Sequence, residues 1–209
     1  TNPSCRVEIC TNFQLVSDYV IELLHQIDEV HIQASIDGIY EMYDWIRGGN
    51  FKKTVNNIER YNTYAGRSVM VCITVSIYNW MNVSDIIDFF KRHKAVPRIS
   101  VANLVTFPKY CSPCFLYPKH IDEGIQKFSN YLEENDFKEV NGGGGRHFMH
   151  DDIFIINGHN MLNTKPDLDA FTGPNEIRKR MIQWIDFCLV ARENNEDIYE
   201  LAPYLKEYK

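Results

Sequence analysis

The stretch HIQASIDGIYEMYDWIRGGN, His31 to Asn50, decides how the rest of the chain is read. With the preceding Glu29 and Val30 it opens as a strand, because Val30, Ile32, Ala34 and Ile36 recur at period two. The alternation stops in Ser35-Ile36-Asp37-Gly38, and Arg47 follows one loop further on. A strand that ends in a small hydroxyl and an acid places polar groups where the chain leaves a sheet. Asp-Gly suits a tight turn, with glycine at positive φ and aspartate bonding to the turn backbone.

Outward from this stretch the pattern repeats. Upstream, CRVEIC (Cys5–Cys10) alternates as a short strand ending near Thr11-Asn12. Leu15 to Ile27 then places Tyr19, Val20, Leu23, Leu24 and Ile27 on one helical face. Downstream, a loop holding Gly48-Gly49-Asn50 leads into a helix marked by Phe51, Val55 and Ile58. SVMVCITVSIYN (Ser68–Asn79) is a long β-branched run and reads as a strand. Val83, Ile86, Ile87 and Phe90 define the next helix, with Asn82 or Ser84 as caps. RISVANLVTF (Arg98–Phe107) is a fourth strand, broken at Pro108. Strands alternating with helices predict βαβ units, a parallel sheet and an α/β fold. Four such strands fit either a piece of an open sheet or a piece of a barrel.

Beyond Pro108 the pattern loosens. His120–Asn135 is helical, with Ile121, Ile125, Phe128 and Leu132 on one face. Asn141–Asp152 (NGGGGRHFMHDD) reads as a flexible break, and Asp152–Asn160 as a short strand. A last helix from about Glu176 turns Ile177, Met181, Trp184, Ile185 and Cys188 inward, before an acidic, aromatic tail from Asp197.

The bulk properties bound the function. The 209 residues are long enough for one large domain or two small ones. No apolar run approaches the roughly 18 to 20 residues that span a bilayer, and no signal peptide or lipidation motif is visible. The net charge of −6 argues against a broad surface for nucleic acid. Six cysteines (Cys5, Cys10, Cys72, Cys111, Cys114, Cys188) are too sparse for a disulfide scaffold, so a reducing cytoplasm is expected. Thr1 in place of an initiating Met, with a strand only a few residues in, reads as a processed product or a fragment.

Ligands of a parallel α/β sheet bind beyond the carboxyl ends of the strands. The residues that matter are therefore Thr11-Asn12, Ser35 to Gly38, Ser76 to Asn79, and Thr106. Ser35 with the Arg47 fork makes a sensible carboxylate clamp. CSPC offers two thiols, Cys111 and Cys114, but lacks the second pair that structural zinc needs. HFMHDD (His147, His150, Asp151, Asp152) follows a glycine run with no helix to set ligand spacing, so it reads as a solvated loop. Gly142 to Gly145 lacks the Lys-Ser/Thr and the helix of a phosphate loop.

Taken together, ICTN, VHIQASIDGIYEMYDWIRGGNFKKTVNNIERY and VCITVSIYN resemble the middle and later part of a radical SAM barrel, closest to the subset with SPASM or twitch C-terminal regions. The tail IQWIDFCLVARENNEDIYELAPYLKEY resembles that subset's closing helix. The resemblance implies a partial (β/α) barrel over residues 1–107. Residues 108–209 would then hold the barrel's end and a mixed, mainly helical, twitch-like extension, with the flexible break near 141–152. It also implies S-adenosylmethionine held at the rim by Ser35 and Arg47, with Thr11 and Asn12 lining the pocket. Asp37 would shape the turn and face the cofactor, and Asn79 matches a further strand-end residue.

The complete enzyme would use a [4Fe–4S] cluster and an external electron donor to form a 5′-deoxyadenosyl radical that abstracts a substrate hydrogen. A peptide, a nucleotide sugar or a small metabolite would fit as substrate, with no role for nucleic acid or membrane. The family's C-x-x-x-C-x-x-C cluster motif and Gly-Gly-Glu motif are absent from this chain. Both are expected upstream, and without them the chain alone is expected to be inactive. Two other classes compete. One is a non-catalytic half-barrel that binds a peptide or protein, and the other is a zinc-dependent interaction domain built on Cys111, Cys114 and the histidine loop.

Overall fold

Period-two alternation gives each strand two unlike faces, and the whole architecture follows from what covers them. The computed structural model describes residues 6–93, 96–142, 145–151, 153–166, 174–191 and 197–208. The first half runs β1 (Arg6–Thr11), α1 (Asp18–His25), β2 (Glu29–Ser35), α2 (Tyr40–Arg47), α3 (Phe51–Ala65), β3 (Met70–Val75), α4 (Val83–His93) and β4 (Arg98–Leu104). Then come α5 (Pro118–Glu134), β5 (Lys138–Gly142), β6 (Gly145–His150), β7 (Ile153–Ile156), α6 (His159–Leu162), α7 (Pro174–Ala191) and α8 (Ile198–Leu201). Short 3-10 turns lie at Lys109–Cys111, Pro113–Phe115 and Pro203–Tyr208.

The strands form one seven-stranded sheet in the order β1-β2-β3-β4-β7-β6-β5. From β1 through β4 to β7 every neighbouring pair is parallel, and β6 and β5 return antiparallel. The α/β class and its parallel strands are therefore as the sequence implies. Because β1 to β4 add in one direction, crossovers of a single hand put the connecting helices on the same face.

That face carries the core. Val71, Ile73, Val75, Ile99 and Val101 are fully buried, beneath Ile58, Tyr61, Ile86 and Phe90. Each such aliphatic side chain contributes roughly 1.5–3 kcal/mol, and a one-residue slip would turn all of them outward.

The other face is different. Its cross-strand neighbours are Arg6 with Glu29, Glu8 with His31, Cys10 with Gln33, Ser35 with Cys72, and Cys72 with Ser100. Parallel sheets are ordinarily apolar on both faces. Here one face is polar and largely open instead.

Several local expectations need correction. Tyr40–Arg47 is a helix rather than a loop, closed by Gly48 at φ 61°. In α1 Ile21 is buried and Leu24 packs half-buried against the core as expected, whereas Tyr19, Val20 and Leu23 are exposed. The helix lies at the β1 end of the sheet and packs sideways on α3.

The described residues of Asn141–Asp152 are largely strand rather than a flexible break. β5 and β6 form a hairpin, and Phe148 pairs with Ile155 on the buried face. Gly142 and Gly145 pair at the hairpin end, and the glycine run there hides the alternation in the sequence. The sheet runs across residue 107, since β7 pairs with β4, and the described residues beyond it are mixed and mainly helical, as expected. In α7, Met181, Ile185 and Cys188 point inward, but Trp184 is partly exposed and stacks on Phe187. The Ile177 side chain lies outside the described residues. No helix among the described residues is long and apolar enough to cross a membrane.

Candidate functional site

Parallel register brings the carboxyl ends of β1, β2 and β3 to one rim, with Thr11 beside Ala34 and Ser35 beside Cys72. Thr11 and Asn12 end β1 by turn chemistry. The Thr11 hydroxyl accepts the Phe13 N–H at 3.1 Å, and Asn12 Oδ1 accepts the Gln14 N–H at 3.2 Å. Phe13 adopts φ 57° and is buried. Ser35 is half-buried, and its hydroxyl has no hydrogen bond among the described residues.

Asp37 sits just past the end of β2 and is buried. Its Oδ1 accepts the Thr74 N–H at 2.8 Å, and its Oδ2 lies 2.6 Å from Arg47 Nη2. Thus the acid ties β2 to β3 and also holds the arginine. Burial pushes the Asp37 carboxyl above its usual range, while the Arg47 charge and the Thr74 N–H pull it back. Arg47 stands in the last turn of α2, with its side chain 27% exposed and thus reachable from solvent. Its Nε is buried without a partner among the described residues.

Gly38 does not take the positive φ expected of it. A Cβ there would lie 2.7 Å from the Tyr43 backbone nitrogen, so this glycine admits the close approach of α2. Asn79 is fully buried, and its Nδ2 donates to the carbonyls of Asp37 (2.9 Å) and Thr74 (3.0 Å). Its Oδ1 accepts from the Ser76 N–H at 2.7 Å and the Ser76 hydroxyl at 3.3 Å. Asn79 therefore builds the backbone under Asp37 rather than facing a ligand. Thr106 is exposed beyond β4.

The sequence reading missed a second network that supports the rim. Gln14 donates to Tyr43 Oη at 2.9 Å and Thr54 Oγ1 at 2.7 Å, and accepts the Asn50 N–H at 3.1 Å. Tyr43 Oη donates to the Asn12 carbonyl, and Asn57 Nδ2 to the Phe13 carbonyl. These bonds clamp the loop after β1 to α2 and α3. Gln14 carries no spacing signal, because the tyrosine and threonine it meets are 29 and 40 residues away in the chain.

The cysteines are spread through the fold. Cys10 and Cys72 donate to the same Gln33 Oε1, at 3.6 and 3.4 Å, and Cys111 is buried beside the Tyr78 hydroxyl. Cys5 and Asp152 lie outside the described residues. His147 Nδ1 accepts the Asn157 N–H at 3.2 Å. Among the described residues no group of three His, Cys, Asp or Glu side chains is placed to hold a metal ion.

No protein-family model matches the chain. Over 73 residues it is 36% identical to the sporulation killing factor maturation protein SkfB of Bacillus subtilis (strain 168), a stretch covering 34% of this chain and 18% of SkfB. Among solved structures, Streptococcus suis SuiB bound to S-adenosylmethionine matches with TM-score 0.47 and 16% identity, over 62% of this chain and 29% of that one. Native anSMEcpe with bound AdoMet and Cp18Cys peptide gives TM-score 0.46 and 15% identity, over 62% and 37%. The chain thus spans well under half the length of each of these proteins.

Proposed function

We propose that this chain, a relative of the radical SAM superfamily, is the part of such an enzyme that holds S-adenosylmethionine at the carboxyl-end rim, and that the complete enzyme modifies a peptide. One observation carries the reading. The Arg47 guanidinium, reachable from solvent and steadied by Asp37, lies on the rim that also presents the Ser35 hydroxyl, unengaged among the described residues. A guanidinium with donors to spare and a free hydroxyl suit a carboxylate such as that of the methionyl group.

Each rim residue then has a role in this reading. Asp37 orients the arginine fork, and Asn79 fixes the backbone beneath Asp37. Thr11 and Asn12 shape the neighbouring wall through their turn, and the polar open face receives the substrate. Bound S-adenosylmethionine supplies a radical enzyme of this family with the 5′-deoxyadenosyl group for hydrogen abstraction. The [4Fe–4S] cluster does not fit the described residues, whose cysteines lie on separate elements. Its ligands, and the docking of an electron donor, belong to other parts of the complete protein. Likeness to a maturation protein supports a peptide as the substrate class.

Calorimetric titration of S-adenosylmethionine tests the rim. Arg47→Lys keeps the charge but loses the fork, and is expected to weaken binding roughly tenfold. Ser35→Ala, which touches no hydrogen bond of the described fold, is expected to weaken it about threefold or more. Wild-type affinity in both variants would remove the clamp.

A further inference from the structure

We infer that the open face carries, below the rim, a carboxylate-binding subsite made by Arg98 and Gln33; it rests on the reading above only in calling the ligand a substrate. A cavity of about 300 Å³ lies here, lined by Gln33, Met70, Arg98 and Ile156 together with Arg6 and His31. That is the lower end of the range for ligand pockets, enough for one side chain or a chain end.

The charges on this face are not equivalent. Arg6 Nη2 is 2.6 Å from Glu8 Oε1 and its Nε is 3.7 Å from Glu29, which also meets His31 at 3.2 Å. Arg6 is thereby compensated. Arg98, at the start of β4, has neither a carboxylate nor a hydrogen-bond partner for its side chain among the described residues. Its planar fork is suited to two parallel bonds with a carboxylate.

Gln33 adds a second donor group. Its Oε1 is occupied by the thiols of Cys10 and Cys72, one from each neighbouring strand. The amide nitrogen, with two hydrogens, has no hydrogen bond among the described residues and is left for a ligand. Met70 and Ile156 supply apolar wall beside these donors. Cation, amide donor and apolar wall together fit a short aliphatic carboxylate. Both an acidic side chain within a peptide and a peptide's own carboxyl terminus have that chemistry.

The test uses methionine-methyl NMR on the chain, following Met70, with three peptides. Acetyl-Ala-Glu-Ala-amide carries a side-chain carboxylate, acetyl-Ala-Gln-Ala-amide carries none, and acetyl-Ala-Ala-Ala ends in a free carboxylate. Saturable shifts with the first or third peptide but not the second are expected, and whichever binds identifies the source. Arg98→Gln should weaken that binding roughly tenfold, whereas Lys52→Gln, on the exposed side of α3, should leave it unchanged. Equal shifts from the glutamine peptide, no saturation up to on the order of 10 mM, or indifference to Arg98→Gln would overturn the subsite. S-adenosylmethionine titrated into Arg98→Gln reports the rim separately, so failure of one site is distinguishable from failure of the other.

Discussion

Arg47 lies 2.6 Å from Asp37 across the turn joining β2 to α2, and the acid is the more buried partner, 8% exposed against 27%. The pair is therefore asymmetric. The arginine keeps some water, while the carboxylate depends on Arg47 and the Thr74 N–H. Asp37→Ala would strand that N–H and leave the guanidinium unpaired, at an expected cost of about 2–3 kcal/mol. Asp37→Asn keeps an acceptor for Thr74 and is expected to cost within about 1 kcal/mol. Urea unfolding of the two variants at neutral pH checks the order.

The same pair sets a pH dependence. Burial raises the Asp37 carboxyl above its ordinary value of 3.8, so the folded chain binds this proton more tightly than the unfolded chain. The stabilisation is whole below pH 3.8 and is lost as pH rises through the raised folded value. Asp37→Asn lacks this slope. Urea unfolding at stepped pH should therefore show wild type losing ground to Asp37→Asn across that window, then running parallel above it. A wild-type advantage that grows with pH would mean the Arg47 attraction outweighs burial.

Asn79 offers a sharper structural test, because its side-chain oxygen and nitrogen are both engaged and the residue sees no solvent. Asn79→Ala leaves the Ser76 N–H and two carbonyls without this partner, for an expected loss of about 2–3 kcal/mol. Asn79→Asp retains the acceptor for Ser76 but sets a charge against the carbonyls of Asp37 and Thr74. It should be the less stable variant at neutral pH and recover as the carboxyl is protonated in acid. If thermal unfolding ranked the two the other way, the amide donors would not be holding the turn.

These residues also show what a sequence can and cannot disclose. Ser35, Asp37 and Arg47 are legible because period two places the first two at a strand end, where polar groups are unexpected unless they work. The roles within the set are not legible. Whether Arg47 meets a ligand or Asp37 depends on α2, whose eight residues carry no long apolar stripe. The hairpin of β5 and β6 is hidden because the glycine run from Gly142 to Gly145 interrupts the alternation in the sequence. In α1 the apolar stripe is plain, but Ile21 on its flank is the residue that is fully buried. Periodicity reports that an apolar face exists, not what lies against it.

That exposed stripe leads to a further expectation. Tyr19, Val20 and Leu23 stand on α1, at the end of the sheet where β1 is the last strand. Unpaired strand edges and exposed apolar faces favour association. The isolated chain should self-associate in a concentration-dependent way by analytical ultracentrifugation, and Tyr19→Lys with Leu23→Lys should reduce it. Equal association in the double variant would place the contact elsewhere.

The Gln14 network gives the last expectation, and it separates packing from hydrogen bonding. A Cβ on Gly49 would stand 2.3 Å from Gln14 Nε2, and that side chain cannot swing aside without releasing Tyr43, Thr54 and the Asn50 N–H. Gly49→Ala is accordingly expected to cost about 1–3 kcal/mol through overpacking. Gln14→Ala should cost a similar amount, by leaving those partners without the amide. Once Gln14 is shortened the clash is gone, so adding Gly49→Ala to Gln14→Ala should cost little. A double-mutant cycle in urea should then yield an interaction energy of about 1 kcal/mol or more. Additive losses would mean that Gly49 is required for its backbone alone, and that the loop after β1 is not locked to α2 and α3 through this contact.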